Sequence, residues 1–153
     1  MSNGGIRTFT STGFLLLVLL FWGIAGGASP EEEPIASFFV TGSSGEIGSE
    51  ALFSGRRVVF VVTGHSCSGV DSFLAWRNQL SSQRADQTLI LCVGGMPQKQ
   101  APFVWLAPDL ARAALGLTGT PMLLGIEENR VQWRIAGLIR RWQRFASHWL
   151  EAS

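Results

Sequence analysis

Between Arg56 and Gly64 the chain reads RRVVFVVTG, and its five consecutive apolar residues, Val58 to Val62, constrain the fold more than any other stretch. A strand with one wet face alternates apolar and polar residues, whereas an unbroken Val-rich run suits a central strand buried on both faces. TLILCVGG, Thr88 to Gly95, repeats that character and ends in two glycines. Between them, Val70, Phe73, Leu74, Ala75 and Leu80 recur mainly at helical spacing, which predicts a helix over Ser68 to Arg84.

The flanking stretches complete the order. Ile35 to Val40 is a short strand candidate, and TGSSGEIGSE after it reads as turn-rich. Beyond Gly95, a connection containing Met96, Pro97, Lys99 and Pro102 leads to PFVWLAP. Pro108 stands where a helix should start, because its missing N–H costs nothing in a first turn, and Asp109 adds a favourable charge. Leu110 to Leu115 form that short helix, stopped by Gly116. PMLLGIEENRVQWRIAG predicts two strands joined at Glu128 and Asn129. The tail LIRRWQRFASHWLEA predicts an amphipathic helix with Leu138, Trp142, Phe145 and Trp149 on one face. The order strand, helix, strand, helix, strand, strand, helix implies an α/β fold, a mixed central sheet with helices on both faces.

The first 30 residues stand apart. Arg7 is followed by an uninterrupted apolar run from Phe14 to Ala25, then Gly26, Gly27 and Ala28, the parts of a secretory signal. The uncharged stretch from Thr8 to Ser29 is also long enough for an uncleaved membrane anchor, which needs about 20 residues. Either way Arg7 stays on the near side and the remainder is sent out of the cytoplasm. Residues 1–29 are therefore expected to be a signal peptide or an N-terminal anchor helix. Residues 30–37, with Pro30, Glu31, Glu32, Glu33 and Pro34, are expected to be a stiffened linker, and residues 38–153 the folded domain. With 12 basic and 11 acidic residues the net charge is +1, which gives no footprint for nucleic acid.

Cys67 lies at the junction of the Arg56–Gly64 strand and the following helix, and Gly119, Thr120 and Pro121 stand just before the hairpin. That arrangement, together with LARAALGLTGTPMLLGIEENRVQWRIAGL from Leu110 to Leu138, resembles the thioredoxin-like superfamily. The leader and the element before Arg56 look most like its membrane-tethered, extracytoplasmic branch of TlpA-like and methylamine dehydrogenase maturation proteins. The resemblance implies a cis peptide bond before Pro121. It also implies that the loop faces Cys67 and that Thr120 offers its backbone to an extended partner chain by strand addition.

The residues themselves supply part of the chemistry. A cysteine at a helix N-terminus meets unpaired N–H groups and the positive end of the helix dipole, which favour the thiolate. Asp71, in the first turn, opposes it. His65, two residues away, could assist the thiol. The resemblance also marks departures. A dithiol site would carry its second cysteine at Val70, the buried acid of such sites falls at Val61, and the aromatic residue before the cysteine falls at Ser66. A dithiol centre releases its partner when the second thiolate attacks the mixed disulfide, and Val70 cannot do so. The bland alternative for Cys67 is a small residue left at a helix start in a relative that has lost redox activity.

Cys92 reads most simply as a core residue. A Cys67–Cys92 disulfide is the other reading in an oxidising compartment, provided the Cα atoms lie within about 7 Å. Two histidines with no Cys/His pair at zinc spacing argue against a metal, His148 reads as a surface residue, and no cofactor is expected. GSSGEIG lacks the strand and helix that a dinucleotide site requires. Trp22 belongs to the leader, and Trp76, Trp105, Trp133, Trp142 and Trp149 are expected to pack the core.

The sequence thus points to a periplasmic or otherwise extracytoplasmic protein held at the inner membrane. It would act on thiol or disulfide groups of partner proteins through the single Cys67, with His65 as a helper and Thr120 and Pro121 holding the partner. A non-catalytic binding or assembly module on the same fold is the alternative.

Overall fold

A computed structural model describes residues 34–64, 69–95 and 100–152. The leader, the linker up to Glu33, and residues 65–68 and 96–99 lie outside the described residues. In chain order the elements are β1 (Phe39–Gly42), β2 (Gly45–Gly48), α1 (Ser49–Leu52), β3 (Arg56–Thr63), α2 (Val70–Arg77) and α3 (Ser82–Ala85). There follow β4 (Thr88–Val93), β5 (Val104–Ala107), α4 (Ala111–Ala114), β6 (Met122–Glu127), β7 (Arg130–Ala136) and α5 (Trp142–Glu151).

Among the described residues the strands form one seven-stranded sheet in the order β2-β1-β5-β4-β3-β6-β7. The Val-rich strand is central, as its composition requires: β3 pairs with β4 in parallel and with β6 antiparallel. Its side chains alternate between two cores. Val59 and Val61 join Leu91, Leu124, Ala111 and Leu115 on the side covered by α1 and α4. Val58, Phe60 and Val62 join Phe73, Trp76, Trp142, Ala146 and Leu150 on the side covered by α2 and α5. The expected mixed sheet with helices on both faces is what the chain adopts.

On the second side, an aromatic stack locks α2 and α5 to the sheet. The Phe60 and Phe73 rings lie 5.1 Å apart, Phe73 and Trp142 6.1 Å, and Trp76 and Trp142 5.2 Å, while the Trp76 indole N–H donates to Ser147 Oγ at 2.9 Å. Arg56 fastens the far end of α5. Its Nε and Nη2 donate to Glu127 Oε1 at 3.1 and 2.6 Å, its Nη1 donates to the Trp149 carbonyl at 3.0 Å, and its guanidinium lies 4.5 Å from the Trp149 ring centre.

The hairpin turns at Glu128 and Asn129, as expected, with φ of 47° and 60° at the two positions. A two-residue turn with both φ positive matches the right-handed twist of its strands. The short helix begins its turn at Pro108, whose carbonyl accepts from the Ala111 N–H at 3.0 Å.

Several expectations need correction. The strand expected at Ile35–Val40 forms at Phe39–Gly42, with Ile35 buried just upstream and hydrogen-bonded to Asn129. Part of the turn-rich stretch is β2, because four residues around two glycines pair antiparallel with β1. Val104–Ala107 is a strand, β5, that ties the β1–β2 hairpin to the sheet. The single helix expected over Ser68–Arg84 is broken: Ser81 is extended, with φ −59° and ψ 155°, and α3 starts after it. On α5, Trp142, Ala146 and Leu150 form the buried stripe, whereas Phe145 is 48% exposed. Trp76, Trp105 and Trp142 are buried, and Trp133 and Trp149 pack half-buried at the margin of the core.

Candidate functional site at the C-terminal edge of the sheet

Because β3, β4 and β5 run parallel, their last residues Thr63, Val93 and Ala107 share one edge of the sheet. Ligands in open α/β sheets bind outside the carboxyl ends of the strands. Residues 65–68, which include His65, Ser66 and Cys67, connect β3 to α2, and they lie outside the described residues. The groups that flank this segment are described, and they define its surroundings.

The two strand ends are pressed together. A Cβ added at Gly95 would lie 2.8 Å from the Gly64 Cα, so only glycine fits where the segments 65–68 and 96–99 depart. On the helix side, Gly69 precedes α2 with φ +85°, and a Cβ there would lie 2.8 Å from Leu138 Cδ1 and 3.2 Å from Phe60 Cζ. The backbone just after Cys67 and Ser68 is thus clamped between β3 and the β7–α5 connection.

Val70, at the position of a second thiol, is half-buried and packs on the core beneath α2. Val61, at the position of the buried acid, is fully buried and pairs opposite Met122. Both positions are absorbed into apolar packing.

Thr120 and Pro121 are joined by a cis peptide bond, as the resemblance implied, and both are half-buried. Pro121 immediately precedes Met122, which pairs with Val61 near the end of β3, so it stands beside the strand that leads to Cys67. The Gly137 N–H donates to the Pro121 carbonyl at 2.8 Å, which fixes the loop against the end of β7. Arg134 holds its other side, donating from Nε to the Leu115 carbonyl at 3.2 Å. The structure therefore brings Thr120, Pro121, Gly69 and Leu138 to the edge from which the Cys67 segment departs.

Cys92 is buried in β4 opposite Val62, on the side of the sheet covered by α2 and α5. The other end of the alternative Cys67–Cys92 bridge lies outside the described residues. His148 is on the exposed side of α5, among Arg141, Arg144 and Glu151.

Sequence reasoning passed over three contributors. Arg134 steadies the loop before Pro121, and its only sequence signal is a charge alternating with Trp133 and Ile135 along β7. Asp109, read only as a helix-start charge, lies over the end of β4: a Cβ at Gly94 would meet its Oδ1 at 2.8 Å. Leu138, assigned to the closing helix, instead seats Gly69.

This arrangement is similar to that of solved structures. One is a protein from Chlorobium tepidum described as a thiol:disulfide interchange protein DsbE, with 17% identity and a TM-score of 0.59, covering 79% of this chain and 95% of that one. The fold is thioredoxin-like. The thioredoxin-like domain is also similar to the exposed lipoprotein thioredoxin Etrx1 of Streptococcus pneumoniae, with 16% identity, a TM-score of 0.51, and coverage of 77% and 100%. MTB DsbF, solved in mixed oxidised and reduced forms, gives 13% identity, a TM-score of 0.53, and coverage of 75% and 93%. No family model and no curated protein matches the sequence. Among the described residues, no helix of the thioredoxin-like chain is long and apolar enough to cross a membrane.

Proposed function

We propose that this is an extracytoplasmic thioredoxin-like protein that handles thiol and disulfide groups of partner proteins through Cys67. The observation that carries this reading is the position of the Thr120–Pro121 loop, which leads into Met122 opposite Val61 near the end of β3, the strand whose following loop contains the cysteine. Residues 1–29 act as signal or anchor, residues 30–37 as linker and residues 38–153 as the working domain. The location is supported by the apolar leader and by the likeness to an exposed lipoprotein thioredoxin.

In the proposed reaction the Cys67 thiolate attacks one sulfur of a partner disulfide. The S–S bond breaks, the other partner sulfur leaves as a thiolate, and a Cys67–partner mixed disulfide forms. Val70 offers no thiol, so a small-molecule or protein thiol from outside attacks the Cys67 sulfur and releases the partner. A second such thiol then frees Cys67, so the partner gains two electrons and the external thiols leave as a disulfide. Thr120 aligns the partner chain by backbone pairing, and His65 tunes the thiol.

A second reading is favoured by the packing of Val61 and Val70. Both positions that serve the resolving half of the reaction are filled by core residues, which fits a binding or assembly module that keeps the partner-facing loop without redox turnover.

The rate of Cys67 alkylation against pH, with Cys67→Ser as the background, separates the two. Redox use requires a midpoint clearly below the ordinary cysteine value of about 8.5 and a trapped mixed disulfide with a disulfide peptide. A midpoint at the ordinary value with no mixed disulfide leaves only the binding module.

A further inference from the structure

At the opposite edge of the sheet, where β4 begins, the β1–β2–α1 segment leans over the core and encloses a cleft of about 570 Å³. That volume is in the range of small-molecule sites, about 300–1,000 Å³. Ile47 and Leu52 form one wall and Phe103 and Trp105 another, and Arg57 and Arg77 open into the same space. Trp105 owes its placement to Gly42: a Cβ there would come within 2.6 Å of the indole, so the ring lies flat against the strand.

The two arginines differ in how they are held. Arg57 is fixed by backbone acceptors, donating from Nε to the Leu52 carbonyl at 3.3 Å and from Nη1 to the Asp86 carbonyl at 3.0 Å. Arg77 ends α2 with its guanidinium 3.9 Å from the centre of the Phe103 ring, and its Nε is buried with no acceptor among the described residues. A buried donor normally finds a partner, so the Arg77 guanidinium is under-satisfied among the described residues. Burial lowers the Arg77 pKa and Asp86 partly offsets this, consistent with a cation short of solvation. Among the described residues lining the cleft Asp86 is the one carboxylate, which against the two guanidiniums leaves a net charge of +1.

We propose that this cleft is a second binding site, separate from the thiol edge, that takes a small monocarboxylate with an apolar body. The carboxylate pairs with the Arg57 and Arg77 guanidiniums, while the body lies between the aliphatic and aromatic walls. Neither arginine has a part in the thiol chemistry, so the site stands or falls independently of Cys67.

The test is a titration of the full chain with phenylacetate, following the arginine Nε–Hε signals by nuclear magnetic resonance. Phenylacetamide serves as the uncharged control, and acetyl-Gly-Gly-Phe represents a polypeptide C-terminus. The expected result is a saturable shift of the Arg77 signal with phenylacetate and binding at least about tenfold weaker for the amide, a loss of roughly 1.4 kcal/mol. Tighter binding of the peptide than of phenylacetate supports the site and assigns its source to a protein C-terminus, and the reverse order assigns a free acid. Arg77→Met should weaken phenylacetate about tenfold or more. Ala51→Trp, which narrows the cleft from an exposed position on α1, should do the same without touching the charges. No saturable shift, equal binding of acid and amide, or unchanged binding in a folded Ala51→Trp protein overturns the proposal.

Discussion

Gly69 and Leu138 touch so closely that a Cβ on the glycine would fall 2.8 Å from Leu138 Cδ1. The glycine also has φ +85°, a backbone region that costs other residues about 1–2 kcal/mol. Gly69→Ala is therefore expected to lower stability by about 1–3 kcal/mol, from strain and steric conflict together. It should also change the rate of Cys67 alkylation, since the residue anchors the backbone two positions after the cysteine. Chemical denaturation and iodoacetamide kinetics on the same variant check both effects.

Val70 begins α2 at the place where a dithiol centre would carry its second sulfur. Val70→Cys should let the chain form an internal disulfide with Cys67 on oxidation, seen as the loss of two hydrogen masses. The variant should release reduced substrate with its own second thiol and end as the internal disulfide, which an external reductant must reopen, whereas the proposed reaction of the parent needs external thiol for the release itself. Val70 packs on the core, so a stability loss of about 1 kcal/mol accompanies the change.

Phe73 is fully buried between Phe60, Trp76 and Trp142. Phe73→Ala should cost about 3–5 kcal/mol, from lost transfer energy and the cavity left behind. The same variant should alter tryptophan fluorescence, because two of its neighbours are indoles.

Arg56 joins β3, β6 and the end of α5 through Glu127 and the Trp149 carbonyl. Arg56→Met should destabilise the domain by about 1–3 kcal/mol. Arg56→Lys should recover less than half of that, since an ammonium cannot reproduce the planar fork. Urea unfolding of the three proteins gives the comparison.

Much of this fold could be read from the sequence because its strongest signals are local. The unbroken apolar runs of β3 and β4 report burial on two faces, and Glu128–Asn129 reports a tight turn. The missed elements depend on pairing. Gly45–Gly48 has no strand-forming composition and becomes β2 only opposite β1, and Val104–Ala107 is four residues long near two prolines. The break between α2 and α3 was hidden because Leu80 continues the apolar pattern, and nothing short of the extended Ser81 backbone reveals it. At the candidate site, the cis Thr120–Pro121 bond was anticipated from the resemblance. The seating of Gly69 by Leu138 could not be, since it joins residues 69 positions apart that carry no shared motif. Phe145 stayed exposed because α5 buries the i, i+4, i+8 line of Trp142, Ala146 and Leu150, whose direction is set by the sheet it meets.

The hydrogen bonds that tie Ile35 to Asn129, and the one from Arg56 to the Trp149 carbonyl, lie at the same pole of the sheet. The cis-proline loop lies at the other pole, the length of β3 away, roughly 25 Å for eight residues. Both ends of the domain are thus handles on the side remote from the thiol edge. Immobilising the protein through either handle leaves that edge open to an approaching partner as large as another folded protein.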